Sequence, residues 1–144
     1  MKRRRDELNH YSHTETGAPA AVFANELGLA YEGCLSVAGL IQTATISTAP
    51  VCKEDDGRAM VIKEPYGVVL AIAPWNAPHA LGFRACLQPL AMGNTVILKG
   101  PEAAPGVSWA IASILHEAGL PPGCLNTIYH RPSDAARVTT TMIA

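Results

Sequence analysis

From Gly67 onward, apolar runs too short for a helix alternate with longer segments of helical spacing, and glycine or proline marks almost every join. The run Val68-Val69-Leu70-Ala71-Ile72-Ala73 stops at Pro74, as a buried strand would. A helical stretch from about His79 to Met92 follows, ended by Gly93-Asn94. Thr95-Val96-Ile97-Leu98-Lys99 is a second strand candidate, closed by Gly100-Pro101. Val107, Ala110, Ile111, Ile114, Leu115 and Ala118 then line one helical face that Gly119 and Pro121 terminate. Leu125 to Tyr129 is a third strand, and Pro132-Ser133-Asp134 can start a last helix. The order β-α-β-α-β-α predicts an α/β fold: a partial doubly wound, Rossmann-like parallel sheet. Such sheets bind ligands beyond the carboxyl ends of their strands, which directs attention to Pro74–Pro78 and Lys99–Glu102. Neither G-x-G-x-x-G nor G-x-x-x-x-G-K occurs, so a nucleotide must be held in another way.

The chain before this unit differs in pattern. Between Arg3 and Ser47 the apolar residues recur at loosely helical intervals, broken only near Gly17 and Pro19, which fits two helices. Val51-Cys52-Lys53, Glu54-Asp55-Asp56-Gly57 and Ala59-Met60-Val61-Ile62 read as strand, turn and strand of a β-hairpin. The expected division is a helical segment over residues 1–50, a hairpin over 51–65 and a partial nucleotide-binding unit over 66–144.

With 144 residues, 49% hydrophobic and 16% charged, and 11 basic against 12 acidic side chains, the composition is that of one globular domain. That balance excludes a disordered chain and argues against nucleic acid as a partner. Polar and proline interruptions leave no stretch that reads as a membrane span. Lys2-Arg3-Arg4-Arg5 leads into Asp6 and Glu7 rather than an apolar run, so it reads as a solvated helix face and not a secretory signal. Cys34, Cys52, Cys86 and Cys124 are too far apart for a C-x-x-C pair and are expected as reduced thiols of a cytoplasmic protein. His10 and His13 can share a helix face, but no further ligand is spaced to complete a metal site, and none is expected.

Three ordered motifs add a resemblance: Glu64-Pro65-Tyr66-Gly67-Val68-Val69, Ile72-Ala73-Pro74-Trp75-Asn76-Ala77-Pro78, and Gly93-Asn94-Thr95-Val96-Ile97-Leu98-Lys99-Gly100-Pro101-Glu102. Together with Leu115-His116-Glu117-Ala118-Gly119-Leu120-Pro121-Pro122-Gly123-Cys124-Leu125-Asn126, and more loosely Glu15-Thr16-Gly17, the chain resembles the NAD(P)-dependent aldehyde dehydrogenases. Ala77-Pro78-His79-Ala80-Leu81-Gly82-Phe83-Arg84 and Tyr129-His130-Arg131-Pro132 are similar to the branch acting on benzaldehyde-like substrates such as vanillin and salicylaldehyde.

The resemblance implies roles for particular residues. Asn76 would donate its side-chain amide to the aldehyde oxygen as that oxygen becomes an alkoxide, a form of electrostatic help that lowers barriers by several kcal/mol. The competing structural role is an asparagine closing a turn between two prolines. Lys99 and Glu102 would bracket the adenosine ribose of the cofactor, the carboxylate accepting from its hydroxyls and repelling a 2′-phosphate, which favours NAD over NADP. Otherwise they form a surface ion pair. Ile72, Ala73, Pro74 and Trp75 match the family's segment along the cofactor, although a tryptophan at a strand end is equally at home in a core. Arg84 would line the substrate tunnel and hydrogen-bond a ring hydroxyl or carboxylate; an arginine extending from a helix face is the alternative.

Aldehyde oxidation in this family needs a cysteine thiolate, a glutamate that activates water, and a Gly-Ser-Thr turn that holds the cofactor. None of the four cysteines stands in the nucleophile's context, and neither of the other two motifs occurs. The sequence therefore reads as an internal, truncated piece of an NAD-dependent oxidoreductase for an aldehyde, expected to be inactive as an isolated chain and to bind NAD weakly. The alternatives are a non-catalytic nucleotide-binding or regulatory partner of a full-length dehydrogenase, and a degenerate product without activity. Three parallel strands alone would leave an open edge, suited to self-association or to that partner.

Overall fold

The computed structural model describes residues 1–144, and its elements follow the punctuation of the sequence. A single 3-10 turn, Lys2–Arg4, leads into α1 (Arg5–Thr16), with Asp6 and Glu7 complementing the dipole in its first turn. Gly17 ends α1 at φ 69°, a left-handed conformation that glycine adopts without strain. After Pro19, α2 (Ala20–Ala44) runs for 25 residues and buries only Phe23, Glu26 and Ala30. No helix is long and apolar enough to cross a membrane.

The hairpin expected over 51–65 is reduced to one antiparallel bridge, Thr48 with Val61, whose two backbone hydrogen bonds measure 3.1 and 2.7 Å. The turn forms at Glu54–Gly57, but no strand flanks it. Its residues are exposed almost throughout, Val51 completely, so β propensity has no surface to pack against and no ladder propagates.

β1 (Val68–Ile72), α3 (Pro78–Ala91), β2 (Thr95–Lys99), α4 (Pro105–Glu117) and β3 (Leu125–Ile128) form two successive β-α-β units, followed by a 3-10 turn and α5 (Ala135–Ile143). The three strands are parallel in the order β1-β2-β3, with Ile72 opposite Lys99 and Lys99 opposite Ile128. All three carboxyl ends therefore lie on one rim. Ala71, Val96, Leu98 and Leu125 face a core built with Phe83 and Cys86 of α3 and Val107, Ala110 and Ile111 of α4. Both crossovers step in the same direction across the sheet, and α3 and α4 pack against each other on the face that carries the core, with α2 stacked on α3 and α1 on α4. On the opposite side Ile72 remains 46% exposed.

Candidate functional site

Two loops shape the rim. β1 ends at Ile72, the Ala73 N–H still donates to the Lys99 carbonyl at 3.1 Å, and the chain then turns through Pro74, Trp75 and Asn76 into α3. Gly82, one turn into α3, lies so close to β1 and α4 that an added Cβ would sit 2.5 Å from the Ile111 methyl and 3.9 Å from Ala73 Cβ. That close approach fixes where the turn can go. Asn76 is exposed and its side chain makes no hydrogen bond, while the His79 ring, three residues on, contacts the Leu8 carbonyl. A turn-closing asparagine would spend its amide on the backbone; this one leaves it free. Trp75 is 58% exposed and is not a core residue.

Behind Asn76 the start of α3 is held by groups that sequence reasoning missed. His79 is fully buried, 3.3 Å from the Leu8 carbonyl and edge-on to Phe23. Burial lowers its pKa, with the Leu8 carbonyl pulling the other way, so the ring is neutral. The Glu26 carboxyl of α2 faces the His79 and Ala80 N–H groups; burial raises its pKa and those donors oppose the rise. Its signal was present, since Glu26 shares one helical stripe with Phe23 and Ala30.

The loop after β2 holds the second group. Lys99 is 5% exposed, with its Nζ 3.8 Å from Glu102 Oε2 and 3.5 Å from the Gly100 carbonyl, both long for an ammonium. Gly100 has no room for a side chain, because a Cβ there would collide with Ser108. The following helix is capped from a distance: Glu15 of α1 accepts from the Gly106 and Val107 N–H groups at 2.7 and 3.0 Å. His130, two residues beyond β3, lies 4.0 Å from Glu102 Oε2. Lys99 and Glu102 were expected as a pair, whereas His130 and the Glu15 cap were not.

The largest cavity, about 880 Å³, opens beside β1 and α3, where Ile72, Pro74 and Arg84 line it with Tyr66 and Gln88. Asn76, Lys99 and Glu102 are not among its walls, so the anticipated residues fall into a rim group and a cavity group. Arg84 is exposed and also borders a smaller cavity between α2 and α3. No thiolate stands in either group: Cys86 is buried, its thiol pushed up to about 12, and Cys34 is raised in the same way by burial.

Comparison with known proteins gives consistent relatives. The model of the aldehyde dehydrogenase family matches residues 1–143. Vanillin dehydrogenase of Pseudomonas sp. (strain HR199 / DSM 7063) is 41% identical over 131 residues, 91% of this chain and 27% of that protein. The structure of a salicylaldehyde dehydrogenase from Pseudomonas putida G7 complexed with salicylaldehyde superposes with a TM-score of 0.93 at 27% identity, covering 99% of this chain and 29% of that one. An NAD-dependent benzaldehyde dehydrogenase from Corynebacterium glutamicum gives 0.85 at 26% identity, over 92% and 29%. The chain thus spans a little over a quarter of the length of the relatives it matches.

Proposed function

This chain belongs to the aldehyde dehydrogenase family, and from that premise we propose that it carries the carbonyl-oxygen donor and the adenosine end of the cofactor site of an NAD-dependent oxidoreductase for an aromatic aldehyde. One observation carries the reading: register pairing of Ile72 with Lys99 puts an unengaged Asn76 amide and the Lys99–Glu102 pair on the same rim. Asn76 donates to the aldehyde oxygen as negative charge builds on it. A fixed donor of this kind is worth about 3–4 kcal/mol. Lys99 and Glu102 fit a ribose, because the lysine is buried with only long contacts and has donors left for a ligand's oxygens. Glu102 accepts from the hydroxyls and disfavours a 2′-phosphate, hence NAD over NADP. Ile72, Ala73, Pro74 and Trp75 form the strand end along which the cofactor lies, and the bound cofactor supplies the hydride acceptor.

The names of the vanillin, salicylaldehyde and benzaldehyde relatives support an aromatic substrate. Arg84, on the cavity wall with Ile72 and Pro74, offers a planar donor for a ring hydroxyl. This chain supplies no thiolate beside Asn76, so by itself it should not turn aldehyde over. The test is to titrate the purified chain with NAD and NADP by tryptophan fluorescence, then add an aromatic aldehyde and follow absorbance from NADH. Weak quenching by NAD, weaker quenching by NADP and no NADH are expected. Equal affinity for the two cofactors overturns the role of Glu102, and NADH formation abolished by Asn76→Ala overturns the predicted inactivity.

A further inference from the structure

The end of β3 brings a third polar side chain to the Lys99–Glu102 pair. Pairing of Lys99 with Ile128 carries His130 alongside the loop after β2. Its side chain is 3% exposed, yet its Nε2 has no hydrogen-bond partner. Glu102 Oε2 lies 4.0 Å from it. The other ring nitrogen, Nδ1, lies 3.0 Å from the Arg131 carbonyl, which can only accept. Nδ1 therefore carries a proton, and in the tautomer this contact selects Nε2 is a lone pair.

A buried acceptor facing a carboxylate, itself an acceptor, lacks a donor between the two. Lys99 Nζ, 3.8 Å from the same oxygen, contributes donors and no acceptor. One donor group and one further acceptor, 3.8 and 4.0 Å from the same Glu102 oxygen, together with that oxygen complement a vicinal diol, whose hydroxyls each give one proton and take one bond. A phosphate dianion, which only accepts, meets two acceptors of the three groups.

We propose that His130 is a specificity-determining residue of this site: its Nε2 accepts a hydrogen bond from a ribose hydroxyl beside Glu102, and so favours an unphosphorylated diol over its 2′-phosphate. The proposal rests on the assignment of Lys99 and Glu102 to the cofactor ribose.

The experiment is calorimetric titration of the 144-residue chain and of His130→Ala and His130→Asn with ADP-ribose and with its 2′-phosphate. His130→Ala should weaken ADP-ribose binding about threefold to tenfold, the loss of one hydrogen bond, and leave the 2′-phosphate nearly unchanged. His130→Asn, whose amide oxygen can accept, should recover part of the difference. Independently of any variant, the His130 ring resonances of the unmutated chain should move as ADP-ribose is added. Equal loss for both ligands in His130→Ala, or binding of ADP-ribose with the His130 resonances unmoved, overturns the role of His130 and leaves the ribose reading standing. Failure of the unmutated chain to bind either ligand overturns both.

Discussion

At the scale of single residues, the informative side chains are those that burial forces into one state. His79 has its pKa lowered by burial, so the unfolded chain takes up a proton that the folded chain refuses. Its contribution is intact above the ordinary histidine range and is lost as pH falls through it, with a slope of at most about 1.4 kcal/mol per pH unit. Glu26 works in the opposite sense just above the ordinary carboxyl range, because the folded chain holds its proton longer. Melting followed by circular dichroism should show a lower Tm at pH 5.5 than at pH 7.5, and His79→Gln should shrink that gap; an unchanged gap contradicts the buried neutral ring. Asn76, Lys99 and Glu102 were singled out in sequence by the motifs that resemble the family, at strand ends that their apolar runs betray: Lys99 closes β2, and Asn76 and Glu102 lie just beyond β1 and β2. His130 was not, since its partner lies 28 residues back and only the β2–β3 register joins them.

At the scale of elements, strands and helices in the second half lie within a residue or two of where glycine and proline placed them. Gly93, at φ 81°, is typical: it ends α3 and frees Asn94 to bind both the Pro89 carbonyl and the Gly67 N–H, tying the end of α3 to the start of β1. The hairpin failed for the converse reason, because alternation and a D-G turn name a strand pair without supplying a surface for it. Also illegible was the capping of α4 by Glu15, across 91 residues. Two charge-assisted bonds to otherwise unpaired helix donors make it valuable. Glu15→Ala should cost about 1–2 kcal/mol in chemical denaturation, and Glu15→Gln, which keeps one acceptor, less. A loss under a few tenths of a kcal/mol for Glu15→Ala would remove the cap from the account.

At the scale of the whole molecule, the accessible surface is 9179 Å² for 15.2 kDa. A compact monomer of that mass exposes about 7,100 Å², so roughly 2,000 Å² more is open than size requires. Only 26 of 144 residues are buried, and Leu29, Leu35 and Leu40 of α2 are each more than half exposed. An excess of this size exceeds the 800 Å² or so that each partner buries in a standard interface. The purified chain should therefore show a light-scattering mass above 15.2 kDa that rises with concentration; a constant monomer mass contradicts this. The Glu15 cap also has a consequence in time. Synthesis adds about 5–20 residues per second, so after Glu15 leaves the ribosome the amides of Gly106 and Val107 follow only some 5–18 s later. Through that interval α1 can pack on α2 but lacks its tie to α4, and the nascent chain must wait for its later half before its beginning is fully settled.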